Sequence, residues 1–167
     1  LKQKDSRGGL AVVSVAEAEV QEAVRERIKA VELGNSYSLE TGDLVIAVGS
    51  PAGIVHSVKQ GAVSYVAGNV QTADGQTRVL YTDCGCETGK GTFFLNMSGE
   101  LVGWATELYG AEDRQGFTIA LPVSEYKGNL QKLMNGIQIP YMGLKGQDVS
   151  EAMQAEGIPK GLYITEA

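Results

Sequence analysis

The sequence predicts an all-β fold, and three observations carry that prediction. Of 167 residues, 22 are glycine and only 4 are proline, with no low-complexity run to hold the glycines; glycine spread in this way marks many tight turns. Short β-rich runs recur between those glycines at roughly hairpin spacing, which indicates a barrel or a sandwich. Helical periodicity is scarce.

Taken in order, the runs are Leu10–Val15, Leu44–Val48, Ser57–Val66, Arg78–Thr82, Thr92–Leu95, Leu101–Thr106 and Phe117–Leu121. Two of the connections carry hairpin chemistry, Asp-Gly in Ala73-Asp74-Gly75-Gln76 and Ser-Gly in Met97-Ser98-Gly99-Glu100. Gly42-Asp43 ahead of an apolar strand is a further turn signal, and Gly49-Ser50-Pro51-Ala52-Gly53 after it is a loop. Glu17–Ile28 places Val20, Ala23, Val24 and Ile28 at helical spacing and predicts a short surface helix. A second helix is predicted from Ser124, as N-cap, through Tyr126, Leu130, Leu133 and Met134 to the stop at Asn135-Gly136. Beyond it, a strand is expected at Tyr141–Leu144, a helix at Ser150–Glu156 and a last strand at Leu162–Thr165. A C-terminal piece this short is too small to be a stable domain alone.

Composition excludes several function classes. With 43% hydrophobic and 20% charged residues the chain is globular, and a chain of this length buries about two-thirds of its unfolded surface without disulfide or metal staples. Two cysteines cannot make a disulfide-rich scaffold. A net charge of −6 repels a phosphate backbone, which argues against nucleic acid as a partner. No apolar run approaches membrane-spanning length, and Leu1–Gly9 is polar, without the apolar centre of a signal peptide. The chain begins without methionine and reads as an internal segment of a longer protein.

The stretch from Leu33 to Gly53, containing Leu33-Gly34-Asn35-Ser36 and then Gly42-Asp43-Leu44-Val45-Ile46-Ala47-Val48-Gly49-Ser50-Pro51-Ala52-Gly53, resembles the entry to the second barrel of HtrA-type trypsin-like serine proteases. That pattern runs L-G-D/N-S, a spacer, and G-D/E-x-V-x-A-I/V-G-N/S-P-x-G. Two further blocks follow in the family's order: Ser57-Val58-Lys59-Gln60-Gly61-Ala62-Val63-Ser64 resembles S-V-T-x-G-I-V-S, and Gly116-Phe117-Thr118-Ile119-Ala120-Leu121-Pro122 resembles G-F-x-F-A-I-P. After the closing helix, Pro140-Tyr141-Met142-Gly143-Leu144 and Gly157 to Ile164 are similar to the opening of the PDZ domain that follows such protease domains. The resemblance covers the chain from about Leu10 to its end. It implies a chymotrypsin-fold, six-stranded antiparallel barrel at 10–136 with a C-terminal helix, a linker at 1–9 from a first barrel lying upstream, and the first part of a PDZ domain at 137–167. Without that first barrel, an exposed apolar flank or self-association is expected.

The family's chemistry needs a serine nucleophile, a histidine, an orienting carboxylate and backbone N–H groups aimed at the oxyanion. In the family the carboxylate immediately precedes the L-A-V strand; here Arg7-Gly8-Gly9-Leu10-Ala11-Val12 puts Gly9 in that place, and Asp5 lies four residues upstream. The nucleophile block, T-D-A-x-I-x-x-G-N-S-G-G-P-L, corresponds to Thr82-Asp83-Cys84-Gly85-Cys86-Glu87-Thr88-Gly89-Lys90-Gly91-Thr92-Phe93-Phe94-Leu95. Counting forward puts Gly91 at the serine; counting back puts Lys90 there. The Gly-Gly that follows the serine is lost too, so Gly89, Lys90, Gly91 and Thr92 form a degenerate groove and oxyanion region. The histidine would lie upstream, and the chain's one histidine, His56, falls in a loop outside the family's histidine block.

Other chemistry is thinly supported. Cys84 and Cys86, two apart, would share one face of a strand; thiol reactivity near Lys90 is one reading, buried free thiols the other. Neither a metal site nor a cofactor is expected, and the acidic loop around Glu107, Glu112 and Asp113 reads as a solvated tip. The resemblance therefore implies a catalytically degenerate protease homologue that binds peptides or unfolded protein segments, with Tyr141, Met142, Gly143 and Leu144 beginning the PDZ peptide site. Two alternatives stand beside it. One is an active endopeptidase using Thr92, Ser98 or a cysteine, or residues outside the chain; the other is a barrel that only holds a homo-oligomer together. The family implies a location outside the cytoplasm, in a bacterial envelope and anchored to the membrane by a segment upstream.

Overall fold

In the computed structural model, which describes residues 1–72, 75–87, 91–107 and 116–166, the chain runs β1 (Gln3–Asp5), β2 (Leu10–Val12), α1 (Glu22–Arg25), β3 (Leu44–Gly49), β4 (Ser57–Thr72), β5 (Gly75–Thr82), β6 (Phe93–Leu95), β7 (Leu101–Ala105), β8 (Thr118–Pro122), α2 (Val123–Met134), β9 (Lys145–Asp148), α3 (Glu151–Ala155) and β10 (Leu162–Glu166). Six strands form a closed barrel in the order β3-β4-β5-β8-β7-β6, every neighbour antiparallel, with β6 returning to β3. Closure leaves no unpaired sheet edge. The all-β, six-stranded antiparallel barrel with a C-terminal helix is thus the observed architecture.

Alternation along the strands builds the interior. Val45 and Ala47 of β3, Val63 of β4, Leu80 of β5, Phe94 of β6, Val102 of β7 and Ala120 of β8 meet inside the barrel together with Leu39, Cys84 and Cys86. Each large apolar side chain so buried contributes roughly 1.5–3 kcal/mol. On the outside, Trp104 and Leu121 pack under Val123, Tyr126 and Leu133 of α2, joined by Leu10 and Val12 of β2. Trp104 and Tyr126 meet edge to face with centroids 5.1 Å apart.

Several elements differ from the sequence reading. The run at Leu10–Val15 is a strand only to Val12, and it pairs with β1 rather than joining the barrel; Val13 and Val15 continue exposed. β1 itself falls in residues 1–9, where the sequence predicted no element. Glu17–Ile28 is not one helix: a 3-10 turn at Glu17–Glu19 and the single turn α1 are separated by extended Val20 and Gln21. Neither piece buries a residue, so nothing compensates the cost of helix nucleation. α2 begins two residues earlier than predicted, with Pro122 rather than Ser124 at its N-cap. Ser124 does not cap; its Oγ accepts from the Ser36 N–H while the Ser36 Oγ accepts from the Ser124 N–H, both at 3.0 Å. This reciprocal pair ties the helix to the start of the barrel entry, and it replaces the local bond the sequence suggested. The helix does stop at Asn135, and the Ser150 Oγ caps α3 by accepting from the Met153 N–H at 3.3 Å.

Tyr141–Leu144 is not a strand. Gly143 takes a positive φ of 76°, which breaks the extended run, and the strand starts afterwards as β9, antiparallel to β10. Of the two predicted hairpins, Met97–Glu100 closes as expected, with the Asn96 Oδ1 accepting from the Ser98 and Glu100 N–H groups at 3.0 Å. Ala73 and Asp74 lie outside the described residues, while Thr72 pairs with Gly75 across that turn.

Candidate functional site

Gly9 and Thr92 both lie near the C-terminal end of β7. Gly9 opens β2 with φ +63°, and a Cβ placed on it would lie 3.8 Å from the Thr106 Oγ1. Ala105 donates its N–H to the carbonyl of Thr92 at 2.9 Å, so Thr92 also abuts this strand end, whereas a Cβ on Gly91 would have nothing within 4 Å. At Gly9 and Gly91, where the resemblance puts the aspartate and one of the two counts puts the serine, there is no side chain. Lys90 and Gly89 lie outside the described residues, as do Glu112 and Asp113.

The substitute groups are engaged elsewhere. The carboxylate of Asp5 accepts from the Arg7 N–H at 2.9 Å and from the Tyr126 hydroxyl, so it fixes the β1–β2 ribbon to α2. Thr92 is buried, its hydroxyl without a hydrogen-bond partner among the described residues. Ser98 sits exposed in the β6–β7 turn. His56 is exposed in the loop before β4, with φ +62°. The described residues hold no group of three or more His, Cys, Asp or Glu placed to take a metal ion.

Cys84 and Cys86 lie beyond the end of β5, at a turn rather than on a strand, with both sulfurs turned into the barrel. The two thiols shift each other's titration in opposite directions. Cys84 is lowered from 9.0 to about 7, first by the hydrogen bond from Cys86, then by the Thr82 hydroxyl and the charge of Lys59, against burial and Asp83. Cys86 is driven up by the same bond to Cys84, by burial and by the Cys84 charge. A depressed thiol is ionised above its pKa and protonated below it. The alkylation rate of Cys84, followed by peptide mass mapping, is therefore expected to rise through a midpoint near about 7 rather than 9; a midpoint near 9 would contradict the shared proton.

With this geometry established, comparison with known proteins becomes informative. No protein-family model matches the chain. Against curated proteins it is 32% identical over 181 aligned residues to the serine protease Do-like HtrA of Bacillus subtilis, an alignment covering 97% of this chain and 39% of that protein. The chain belongs to the HtrA-type trypsin-like serine protease family. It is also 22% identical to the periplasmic serine endoprotease DegP of Escherichia coli, covering 98% of this chain and 34% of DegP. Its fold matches the solved structure of the HtrA-type protease AlgW with decapeptide at a TM-score of 0.56 and 23% identity, over 83% of this chain and 45% of that one. The chain spans well under half the length of each of these HtrA-type relatives.

Tyr141, Met142, Gly143 and Leu144 of this HtrA-type chain lie apart from the β7 end, along a cavity of about 620 Å³ between the β1–β2 ribbon and α2. Arg7 places its guanidinium 3.2 Å from the centroid of the Tyr141 ring, a cation–π contact that joins ribbon and C-terminal segment. Sequence reasoning missed that contact, the 2.7 Å bond from the Trp104 Nε1–H to the Gly8 carbonyl, and the room that Gly61 leaves for Cys84. The first two are long-range pairs with no local signal. For the third, the one available signal is a glycine within a strand, which often marks close approach of another chain segment.

Proposed function

We propose that this chain is the second barrel of an HtrA-type protease homologue that performs no serine-type hydrolysis and instead binds peptides or unfolded protein segments outside the cytoplasm. The observation that carries this reading is the pair of glycines, Gly9 and Gly91, both at positive φ and without a side chain where the resemblance would put the aspartate and the serine. Serine hydrolysis draws on a nucleophile, a general base and a carboxylate that fixes the base. Substituting serine at Gly91 alone would also place a side chain at φ +73°, a conformation L-residues resist.

Binding is supported by AlgW, solved with a decapeptide, and the location by DegP, a periplasmic protein. Residues 137–167 act here as the start of a PDZ domain, in which an extended peptide adds to a sheet edge and its chain end meets the Tyr141–Leu144 segment. The part of the family's architecture upstream of this barrel supplies the envelope anchor. No helix among the described residues is long and apolar enough to cross a membrane.

The deciding assay incubates the protein with unfolded casein and with a fluorophosphonate probe, alongside an active HtrA-type protease. Casein is expected to stay intact and the protein unlabelled, while fluorescent peptides with free C-termini bind saturably. Phosphonate-sensitive turnover would overturn the inactive reading, and absence of any peptide binding would overturn the binding role.

A further inference from the structure

We propose that Cys84 and Cys86 form a redox-active dithiol that closes to an intrachain disulfide by exchange with a low-molecular-weight disulfide such as oxidised glutathione. These are the only two cysteines in the chain, neither is disulfide-bonded, and both are buried in the same core cluster inside the barrel. Gly85 between them takes φ +55° and is exposed, as are Asp83 and Glu87, so the turn sits at the surface with both sulfurs folded beneath it. That curvature brings the thiols together as a straight strand would not.

The surroundings favour the chemistry. A Cβ on Gly61 would lie 2.6 Å from the Cys84 Sγ, so β4 makes room for this sulfur only because residue 61 has no side chain. The Lys59 Nζ donates to the Gly85 carbonyl at 3.1 Å, which sets a cation on the turn. The buried Thr82 hydroxyl has no nitrogen or oxygen partner among the described residues and lies where a Cys84 thiolate would supply one. Cys86 is held more firmly: its N–H donates to the Thr118 Oγ1 at 2.6 Å, and that hydroxyl donates to the Cys86 carbonyl at 3.2 Å. Cys84 is accordingly the attacking sulfur and Cys86 the resolving one.

The exchange balances. The Cys84 thiolate attacks one sulfur of the external disulfide, forms a mixed disulfide and releases one small thiolate. Cys86 then gives up its proton and attacks the Cys84 Sγ, which breaks the mixed disulfide and releases the second thiolate. The two protons of the dithiol end on the two small thiols; the protein is oxidised by two electrons and the external disulfide is reduced to two thiols. Access comes from lifting the 83–87 turn, whose other ties are the Glu87 N–H to the Pro51 carbonyl at 3.0 Å, the Lys59 contact, the Asp83 N–H to the Ala62 carbonyl at 3.2 Å and the Ala62 N–H to the Asp83 Oδ1 at 2.6 Å.

The test treats the folded, reduced chain with oxidised glutathione and quenches samples with a maleimide for intact-mass measurement. The expected product is a monomer that has lost two hydrogens and takes no maleimide, restored by reduced glutathione. Cys86→Ser is expected to stop at a single glutathione adduct on Cys84, and Cys84→Ser to form an adduct about tenfold more slowly. Two maleimides on the wild-type protein after prolonged oxidation, a disulfide-linked dimer, or oxidation seen only in denaturant would each overturn the proposal. The wild-type measurement decides it even if a variant folds poorly.

Discussion

Replacing Phe94 with alanine is expected to lower the unfolding free energy by about 3–5 kcal/mol. β6 has three residues, and Phe94 is its one fully buried side chain, 1% exposed. The strand pairs Ala47 of β3 on one side and Gly103 of β7 on the other, so it is the stave that closes the barrel. Small neighbours on both flanks offer little that can collapse into the space the ring leaves. The loss therefore includes the cavity as well as the transferred surface. Urea unfolding would show the midpoint falling with the slope retained; a loss below about 1 kcal/mol would mean that β6 does not close the barrel as described.

Gly49→Ala is expected to cost at least about 2 kcal/mol more than Gly99→Ala. Both glycines have positive φ, +114° and +82°, so each substitution strains the backbone. Only Gly49 has a neighbour in the way: a Cβ there would run into the carbonyl oxygen of Gly91, whereas Gly99 has nothing within 4 Å. A backbone carbonyl cannot rotate aside as a side chain can. The entry to β6 would have to move. Comparing the two variants by thermal and urea unfolding removes the common strain and leaves the contact; equal losses would show that the Gly91 carbonyl yields freely.

The barrel was legible because its strands are short apolar runs stopped by glycine-bearing turns, and each signal lies within a few residues of the element it defines. Legibility failed where a partner is distant. Gln3–Asp5 is polar and short, and nothing near it indicates that Tyr126 and Trp104 hold the ribbon down. Ser124 has the spacing of a cap, but Ser36 takes its hydroxyl from 88 residues away. The flanking blocks make Gly9 visible, while at the serine they leave Gly91 and Lys90 both open. That Gly9 and Thr92 share the Ala105-Thr106 end of β7 could not be read, because it depends on closure of the barrel and on the register of β7. The cysteines show the same limit: their spacing was plain, while the turn at Gly85 and the recess at Gly61 are properties of two segments meeting.

The chain's one tryptophan carries an optical consequence. Trp104 lies buried beneath α2 with its indole N–H on the Gly8 carbonyl, one residue from Gly9. Its fluorescence is therefore a built-in gauge of whether the N-terminal ribbon is seated: emission from this single fluorophore reports the ribbon's docking without any attached label, while the rest of the barrel stays silent at that wavelength.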